Sequence, residues 1–506
     1  MKRTLTLILA FLMFASLVLG AVGCQKDDPT NNEDPNNGED VTVEDPLFAD
    51  LPQNNFLKDG VPVEIFILRG DDEWSSGQMV VEEVDFGLPV DSAIYTRNSY
   101  VEETLGVVLN ETVEDVGNGK VANRIQTLHL SGLREFDICY DVARFQNAAV
   151  AMGVYLPISE YDMYINLEKP WWYEDDREAM TFYDKCYMLT GDLNLVRNEY
   201  MWALAFNRDT LVNYGVNSPY DYVASGEWTL EKMYEMCVNT WEEDSGKYAM
   251  TSHFRFSTAL MVGADLDFVE RTQDGGLQRA NIDDNFLRVV EDLIEYFFEN
   301  NGTGKMNGIK TEYSSNHAVG GGFAEGADYV HDQAFREGNA TFLGNPLGKL
   351  AKDLPSSGVN YGIVPLPKYS EDQKLYRNCL YGSLFTLCVP TMVAEEEGRL
   401  ECVGTVLEWL GAYSYDLLRP AYYEYVLYGR LLQEPDAVLS LDILLGYDER
   451  GEVVPELDSL FGFGMTDKLF VSLSDCKPAY NNAVRTIANL VDDKMASVLE
   501  YYKKQG

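Results

Sequence analysis

Apolar positions alternate along the chain between short β-branched runs and stretches with helical spacing. Residues 61–68 read VPVEIFIL, a run typical of a buried strand. Residues 92–105 repeat apolar positions every three or four residues and end before a glycine, as helices do. A strand at 107–109, a helix at 119–130 and a strand at 136–139 follow. This alternation predicts an α/β fold with a parallel sheet and helices on both faces.

The same alternation continues in a second region that begins near residue 161. Thr229 is expected to be the N-cap of one of its helices. The glycines at 320–322 lack the Lys-Ser or Lys-Thr of a phosphate-binding loop, so we interpret them as an ordinary loop. We predict strands at 185–189, 202–207, 361–366 and 380–389, a helix end followed by a strand within 335–344, and helices at 228–241, 286–298, 403–413, 436–445 and 482–501.

Residues 1–23 have the layout of a secretory signal peptide, with a basic start and an apolar, uncharged run at 5–22. A transmembrane anchor is the alternative interpretation, because the run could nearly span a bilayer. No basic cluster follows the run, which favours cleavage. The segment resembles a lipoprotein signal, with Gly23 before Cys24, although Ala21 departs from the aliphatic residue usual at that position. Acylation of Cys24 would give stable membrane anchoring.

Residues 24–54 are rich in Asn, Asp, Glu and Pro and contain little to bury. Such a composition predicts a disordered acidic tether. A calcium loop is the alternative, since Asp34, Asn36 and Gly38 loosely match one, but no Glu stands at its closing position. We therefore expect no metal.

The remaining chain is long enough for two or three domain-sized units. Hydrophobic residues make up 46% and aromatic residues 12%, which is enough to fill a sizeable interior. The formal net charge of −43 argues against a nucleic-acid partner and against lying flat on an anionic membrane. After the signal, no second apolar stretch approaches the length of a membrane span.

The eight cysteines do not form a recognisable framework. With Cys24 assigned to the lipid, seven remain, and an odd number with wide spacing and no CxxC argues against a disulfide scaffold or a zinc site. A single incidental disulfide stays open. These seven cysteines are at positions 139, 186, 237, 379, 388, 402 and 476.

Several motifs then occur in a characteristic order. They are Arg97-Asn98, Pro170-Trp171-Trp172, Gly191-Asp192, the stretch 205–208, the stretch 226–230, the stretch 335–338 and the stretch 361–368. In this order and behind a lipoprotein start, they resemble the extracellular solute-binding proteins of ABC importers, the carbohydrate-binding group that includes maltose-binding protein. The resemblance runs over roughly residues 60 to 500 and depends on order and spacing, because none of the motifs is diagnostic alone. The apolar stretch 431–445 departs from the more polar pattern of such proteins.

The resemblance implies a two-lobe, class II periplasmic-binding-protein-like fold joined by a hinge. Lobe 1 would comprise 55–160 and 390–450, and lobe 2 would comprise 161–389 and 451–506. A solute, taken to be a carbohydrate or oligosaccharide, would bind between the lobes, and the closed form would dock on the transmembrane subunits of a permease. The protein would be a monomer, lipid-anchored to the outer face of the cell membrane and without a cofactor.

Candidate ligand contacts come from physical reasoning about the sheets. Ligands of open α/β sheets bind outside the carboxyl ends of the strands. Sugar hydroxyls need paired donors and acceptors, which Asp, Asn and Arg supply, and sugar C–H faces pack on aromatic rings. The side chains selected in this way are Arg69, Asp71, Tyr140, Asp141, Asp192, Asn345 and Tyr381, with Trp171, Trp172 and Trp228 as aromatic surfaces.

Each candidate also has a purely structural interpretation. The Trp171–Trp172 pair could pack the hinge, and Trp228 could anchor a helix in the core. Asp141 and Asp192 lie in predicted turns, where Asp is common for backbone reasons. Arg69 could simply form an ion pair with a nearby aspartate.

Catalytic motifs are absent, since the chain contains neither GxSxG nor HExxH and its four histidines are scattered. We therefore expect a protein that is not an enzyme and has no catalytic residues. Two alternatives stay open. A secreted glycosidase needs only two carboxylates across a sugar, which 82 acidic residues could supply. A sensor or adhesin lipoprotein of the same fold would bind without transport.

Overall fold

The computed structural model of the protein describes residues 47–71, 77–81, 89–115, 119–242, 247–253, 256–267, 269–293, 296, 311–314, 330–380, 384–423, 435–455, 457, 495–496 and 499–504. The chain divides into two compact units, Met1–Asp50 and Leu51–Gly506. Only the turn at 47–50 is described from the first unit, so the predicted signal peptide, Cys24 and most of the tether lie outside the described residues.

The strands of the second unit are short, as expected for an α/β protein. They are β1 (Val63–Asp71), β2 (Val107–Asp115), β3 (Ile138–Val142), β4 (Trp202–Asn207), β5 (Tyr248–His253), β6 (Val269–Arg271), β7 (Leu277–Arg279), β8 (Thr311–Ser314), β9 (Ala340–Pro346), β10 (Tyr361–Val364), β11 (Tyr376–Leu380), β12 (Phe385–Cys388) and β13 (Gly451–Pro455).

The helices lie between these strands. They are α1 (Pro89–Leu105), α2 (Lys120–Leu130), α3 (Ala143–Val150), α4 (Glu174–Met180), α5 (Val196–Glu199), α6 (Arg208–Tyr214), α7 (Pro219–Ser225), α8 (Leu230–Asn239), α9 (Phe256–Gly263), α10 (Asp284–Leu293), α11 (Val330–Arg336), α12 (Leu347–Asp353), α13 (Arg399–Tyr413), α14 (Arg419–Tyr422) and α15 (Pro435–Leu444). A π-helical turn at Ser414–Leu418 joins α13 to α14. Within the described ranges, no helix has both the length and the apolarity needed to cross a bilayer.

The first sheet has the strand order β12-β3-β1-β2. β1 pairs in parallel with β2 and β3, whereas β12 runs antiparallel to β3. Ile65, Ile67 and Leu68 of β1 are fully buried, because helices cover the sheet on both faces. Helix α1 packs on β2 and also against α13, which returns to this sheet from much later in the chain.

The second sheet has the order β10-β4-β9-β5-β8. β4 is antiparallel to both β9 and β10, and β5 is parallel to β9 and β8. Every residue of β4 is buried. The side chain of Thr229 accepts a hydrogen bond from the Lys232 amide, so the predicted N-cap of α8 is confirmed. Two smaller pairings, β11 with β13 and β6 with β7, complete the described strands.

The predicted α/β class and the alternation at the start of the ordered chain are confirmed. The strand predictions at 61–68, 107–109 and 136–139 correspond to β1, β2 and β3, and the first two helix predictions correspond to α1 and α2. Each of these predictions was based on a continuous apolar run, for the strands, or on a clear helical spacing of apolar residues, for the helices.

Two strand predictions are corrected. Residues 185–189 form only single bridges, Phe182 with Lys185 and Leu189 with Leu387, because this segment links the sheets and lies in neither. The strand predicted at 380–389 is two strands, since β11 pairs with β13 and β12 pairs with β3. The glycines at 320–322 and most of the helix predicted at 482–501 lie outside the described residues.

Two antiparallel segments connect the sheets. Leu189 and Leu387 exchange both backbone hydrogen bonds, at 3.0 and 2.8 Å, and Met201 pairs with Leu380. The chain therefore leaves the first sheet and returns to it along adjacent paths, which is the arrangement expected of a hinge.

The lobe boundaries drawn from the sequence stay predictions, but two elements pack on the lobe opposite to the one in which these boundaries place them. β12 belongs to the first sheet although it falls within 161–389. Helix α15 falls within 390–450 but packs against α7 and β10 of the second sheet. Near the C-terminus, the Tyr502 hydroxyl donates to the Asn147 side chain of α3, 2.9 Å away.

A buried carboxylate at the edge of the first sheet fixes α13 to β1. Asp137 has no exposed surface and accepts from Arg399 Nε at 2.8 Å, from Arg134 Nη1 at 2.7 Å and from the Phe66 amide at 2.8 Å. We predict that Asp137→Asn lowers the free energy of unfolding by about 3–5 kcal/mol, because it leaves a buried guanidinium without its counter-charge. Urea denaturation measures this loss.

The control is Glu135→Gln, which breaks an exposed pair with Arg124 at 3.4 Å. It should cost less than about 1 kcal/mol, since exposed ion pairs contribute little. Equal losses in the two variants would contradict the assignment of Asp137 as the anchor.

Candidate functional site

The carboxyl end of β1 carries an ion-paired arginine. Arg69 is almost fully buried and pairs with Asp71 at 2.9 Å and with Glu111 at 3.0 Å. The ion pair that was the alternative interpretation of Arg69 is therefore present in the structure, with Asp71 as the aspartate. Ligand contact by Arg69 and Asp71 stays a prediction, with the Asp71 carboxylate the more accessible of the two groups.

The carboxyl end of β3 meets the segment that leads to the second sheet. The Tyr140 hydroxyl donates to Asn194 Oδ1 at 2.8 Å, and burial raises the pKa of Tyr140. Asp141 is fully buried, and burial raises the pKa of its carboxyl to about 7, with the Val142 amide acting in the opposite direction. One Asp141 oxygen accepts from that amide, and the other has no hydrogen-bond partner among the described residues.

The tryptophan pair packs against α13. A Cβ placed on Gly411 would lie 2.5 Å from Trp171 Cδ1, so only glycine allows the indole to approach the helix this closely. Trp172 Nε1 donates to Glu408 Oε2 at 2.9 Å, and the two indoles are at most 4% exposed. They present no surface to a solute in this conformation, and the structure favours the hinge-packing interpretation.

The backbone of the two tryptophans pairs with the turn at 190–192. Trp172 bridges to Gly191, and the Asp192 amide donates to the Trp171 carbonyl at 2.9 Å. A Cβ on Gly191 would lie 2.6 Å from that carbonyl oxygen, so this close approach also requires glycine. The pairing fixes the backbone of Asp192 and so the direction of its side chain.

The Asp192 carboxylate lies at the centre of a group of tyrosines and arginines that we call the Asp192 cluster, defined as Tyr173, Asp192, Tyr415, Arg419 and Tyr447. Tyr173 donates to Asp192 Oδ1 at 2.5 Å. Arg419 Nη1 lies 3.6 Å from Asp192 Oδ2, too far for a hydrogen bond, and that oxygen has no hydrogen-bond partner in the part of the chain described. Burial raises the pKa of Asp192, and Arg419 opposes the shift.

The Arg419 guanidinium lies between two aromatic rings. Its Cζ is 5.1 Å from the Tyr415 ring centre and 4.6 Å from that of Tyr447, within the range of cation–π attraction. The Asp192 side chain is 3% exposed, the Arg419 side chain 24% and Tyr447 38%. The cluster therefore has a buried carboxylate at its base and a partly accessible wall of arginine and tyrosine.

A second ion pair supports the base of the cluster. Arg197 donates to both oxygens of Asp176, at 2.7 and 3.1 Å, and Thr190 donates to the same carboxylate at 2.7 Å. The Arg197 Cζ lies 4.1 Å from the ring centre of Tyr173. Asp176 is thus satisfied by two donors, in contrast to Asp192, and its role is to hold Arg197 beneath Tyr173.

The candidates from the second sheet do not join this cluster. Asn345 donates to Asp332 Oδ1 at 2.5 Å within its own lobe. Trp228 is fully buried, and its Nε1 donates to the Pro365 carbonyl at 2.9 Å, as expected of a core anchor. Tyr381 lies outside the described residues. Ligand contact by these three residues stays a prediction.

An open cavity of about 620 Å³ lies elsewhere, between α4, the β6–β7 hairpin and β13. Arg377 faces it and is paired with Asp265 and Asp267, at 2.9 Å each. None of the described candidate residues lines this cavity. No described group of His, Cys, Asp or Glu side chains is arranged to hold a metal ion, and the six described cysteines are buried and are not joined to one another by disulfides.

Comparison with known proteins identifies the architecture. No protein-family model matches the chain, and no curated protein matches it significantly. Among solved structures, the chain is similar to a cyclo/maltodextrin-binding protein complexed with maltotetraose, with a TM-score of 0.57, 12% identity, and coverage of 86% of this chain and 98% of that one. It is also similar to the ABC substrate-binding protein Lmo0181 from Listeria monocytogenes in complex with cycloalternan, with a TM-score of 0.52, 11% identity, and coverage of 86% and 99%.

The chain has the two-lobe solute-binding fold. The first sheet with its helices is lobe 1, and the second sheet with its helices is lobe 2. Both similar structures are binding proteins by description. At this level of identity the likeness establishes the fold, and the predicted α/β two-lobe class is confirmed.

The Asp192 cluster draws on both lobes. Tyr415 and Arg419 belong to the helical segment that packs on α1 of lobe 1, whereas Tyr447 follows α15, which packs on lobe 2. Of these residues, sequence reasoning selected only Asp192. The separation of four between Tyr415 and Arg419, just after the helix predicted at 403–413, was the available signal, but a chain with 32 tyrosines offers many such pairs.

Glu408 gives a prediction about pH. Burial raises the pKa of this carboxyl to about 7, and its bonds to Trp172 and the Asn166 amide oppose the shift. The folded state therefore holds a proton that the unfolded state releases near its ordinary pKa of 4.5, and the contribution of Glu408 to stability falls as pH rises from there to about 7.

We predict that Glu408→Gln removes this decline. The variant should match wild type near pH 4 and be more stable by about 1–3 kcal/mol near pH 8, as measured by urea unfolding at each pH. The exposed Glu397→Gln on the preceding turn is the control and should leave the profile unchanged. Loss of stability in Glu408→Gln at the higher pH would show that the ionised carboxylate is required by the indole.

Proposed function

We propose that this chain is the substrate-binding lipoprotein of an ABC transporter, which captures an extracellular carbohydrate between its lobes and delivers it to a membrane permease. Support comes from the fold, since both similar structures are binding proteins in complex with oligosaccharides, maltotetraose in one and cycloalternan in the other. In this proposal the protein does no chemistry on its ligand. An oligosaccharide is favoured over a monosaccharide because interlobe clefts are long.

The arrangement of Asp192 and Arg419 is the observation that carries the proposal. A carboxylate oxygen without a hydrogen bond lies 3.6 Å from a guanidinium, and both groups lie beside tyrosine rings. A sugar hydroxyl is both donor and acceptor, so it can donate to Asp192 and accept from Arg419 at the same time. Leaving a buried carboxylate oxygen without a hydrogen bond costs free energy, and a bound hydroxyl would recover it.

The aromatic rings supply the second requirement for sugar binding. Tyr415 and Tyr447 flank Arg419, and each presents an apolar face beside a polar group. The C–H face of a pyranose packs on such a ring while its hydroxyls reach the charged groups. The chain's strong negative charge also disfavours an anionic solute.

Closure of the lobes would complete the site. Arg419 is attached to lobe 1 and Tyr447 to lobe 2, so a hinge motion changes the gap between them. A ligand held by both would stabilise the closed form, which is the form that a permease recognises in this proposal.

Export and anchoring form part of the proposal. The signal at 1–23 would direct the chain out of the cytoplasm, and acylated Cys24 would hold it on the outer face of the membrane. The acidic tether would then keep the lobes close to the permease, where their effective concentration is high.

The first test is a thermal-shift screen with maltodextrins, cyclic glucans and peptides. We predict that a sugar raises the melting temperature of wild type, with about 2.7 kcal/mol of stabilisation at a ligand concentration one hundred times Kd. Asp192→Asn should weaken binding of that sugar by roughly 10–100-fold, because a bond to a charged acceptor contributes about 1.5–3 kcal/mol.

The matched control is Asp184→Asn, a change at an exposed aspartate of the preceding turn. It should bind like wild type. A shift with peptides and none with sugars would contradict the carbohydrate assignment, and turnover of a chromogenic glycoside by wild type would show an enzyme instead.

The anchor has its own test. We predict that a clickable fatty-acid analogue fed to expressing bacteria labels the wild-type chain and leaves Cys24→Ala unlabelled, because the thiol is the acceptor of the lipid. The control is Cys476→Ala, which should label like wild type. Equal labelling of Cys24→Ala would overturn the proposed anchor without affecting the sugar-binding proposal.

A further inference from the structure

Arg97 of α1 is a buried cation that no step of the proposed binding uses. The residue has no exposed surface. Its guanidinium donates to four acceptors, namely the Met79 carbonyl at 2.6 Å, the Leu193 carbonyl at 2.7 Å, the Ser414 hydroxyl at 2.9 Å and the Asn98 side chain at 2.9 Å. These acceptors come from four separate positions of the chain, and all of them are neutral.

Burying the charge of Arg97 costs free energy, so its presence at this position needs a physical explanation. A buried charge needs either a counter-charge or a full set of hydrogen bonds. Arg97 has four bonds from its five N–H groups, with at least one on each nitrogen, and burial still lowers its pKa to about 10, with the charge of Glu111 opposing the shift. An apolar side chain would fill the same space without this cost, so the specific geometry of the four bonds is what the arginine contributes.

Two of the acceptors are direct neighbours of residues in the Asp192 cluster. Leu193 follows Asp192, and Ser414 precedes Tyr415 in the helical segment that also carries Arg419. The same nitrogen, Arg97 Nη1, donates to both of them. The Ser414 hydroxyl in turn donates to the Leu410 carbonyl at 2.5 Å, which fixes its orientation.

We infer that Arg97 is a positioning residue, which sets the distance between Asp192 and the Tyr415–Arg419 segment through its bonds to Leu193 and Ser414. The part of this inference that concerns ligand binding rests on the proposed function. Arg97 touches no ligand in this account. It keeps Asp192 and Arg419 side by side, 3.6 Å apart, so that one hydroxyl beside them can contact both groups.

Lysine is the informative replacement. It keeps the positive charge, but a single ammonium on a flexible stem cannot reach four acceptors arranged around a planar fork. Arg97→Lys should therefore keep the charge of the site and lose its geometry. Ser414→Ala removes one of the four bonds, and it serves as a second variant if Arg97→Lys folds poorly.

The experiment has two readouts on the full-length chain. Backbone hydrogen exchange should become about tenfold faster at 190–195 and at 414–419 in Arg97→Lys, and faster at 414–419 in Ser414→Ala. Affinity for whichever sugar stabilises wild type should fall by about tenfold in Arg97→Lys and by about threefold in Ser414→Ala.

The control is Arg399→Lys, a change to another buried arginine of lobe 1 that binds Asp137 instead. It should lower the melting temperature while leaving exchange at 190–195 and the sugar affinity unchanged. Exchange rates within about twofold of wild type at both segments in Arg97→Lys would overturn the inference. If wild type binds no sugar but exchange rises as stated, the positioning role stands and the proposed function falls.

Discussion

The fold depends on the reciprocal backbone bonds between Leu189 and Leu387, where the chain leaves lobe 1 and where it returns. A buried segment that connects two sheets needs a hydrogen-bond partner for each backbone N–H and C=O. Two crossing segments that run antiparallel can supply these partners to each other. The return strand β12 then closes the first sheet on β3. Because both crossings are fixed side by side, the segment at 190–193 has a defined place beneath α13, and Asp192 is held where the two lobes meet.

Buried charge follows a consistent pattern around this crossing. Asp137 and Asp176 each have a bidentate arginine, and Arg97 has four neutral acceptors, so each of these charged oxygens and nitrogens has a hydrogen-bond partner. Asp192 differs, because one of its oxygens has no hydrogen bond among the described residues while a guanidinium stands just beyond bonding distance. In a low-dielectric site a carboxylate oxygen without a hydrogen bond is energetically unfavourable. Asp141 also has an oxygen without a hydrogen-bond partner among the described residues, but Asp192 is the one with an arginine beside that oxygen.

Much of the fold follows from periodicity, and much of the site does not. β1, α1 and β4 were predictable because each buries a continuous run or a regular stripe of apolar residues. Asp192 was predictable as a carboxylate in a turn after the tryptophan pair, though its partners were not. Arg419 lies more than two hundred positions away, and its contact depends on how the crossing segments and the helical return fold together. The tryptophan pair was predictable as a buried aromatic feature, but its packing partner was not, since Gly411 of α13 allows Trp171 to approach closely; ligand contact by the pair stays a prediction.

The same contacts restrict how the lobes can move. Arg97 ties both the Asp192 segment and the Tyr415–Arg419 segment to lobe 1, so these parts travel together. Tyr447 follows a helix that packs on lobe 2, and Asp442 of that helix accepts from Tyr423 at the end of the lobe 1 segment. A hinge opening that preserves the Arg97 bonds and moves α15 with lobe 2 would break the Tyr423–Asp442 bond and separate Tyr447 from Arg419. In that motion the Asp192 carboxylate and the Arg419 guanidinium would keep their spacing in lobe 1, while the Tyr447 ring would move away with lobe 2. In the proposed function, a ligand would first meet this polar pair and then be covered by a ring from the other lobe, so that binding precedes closure.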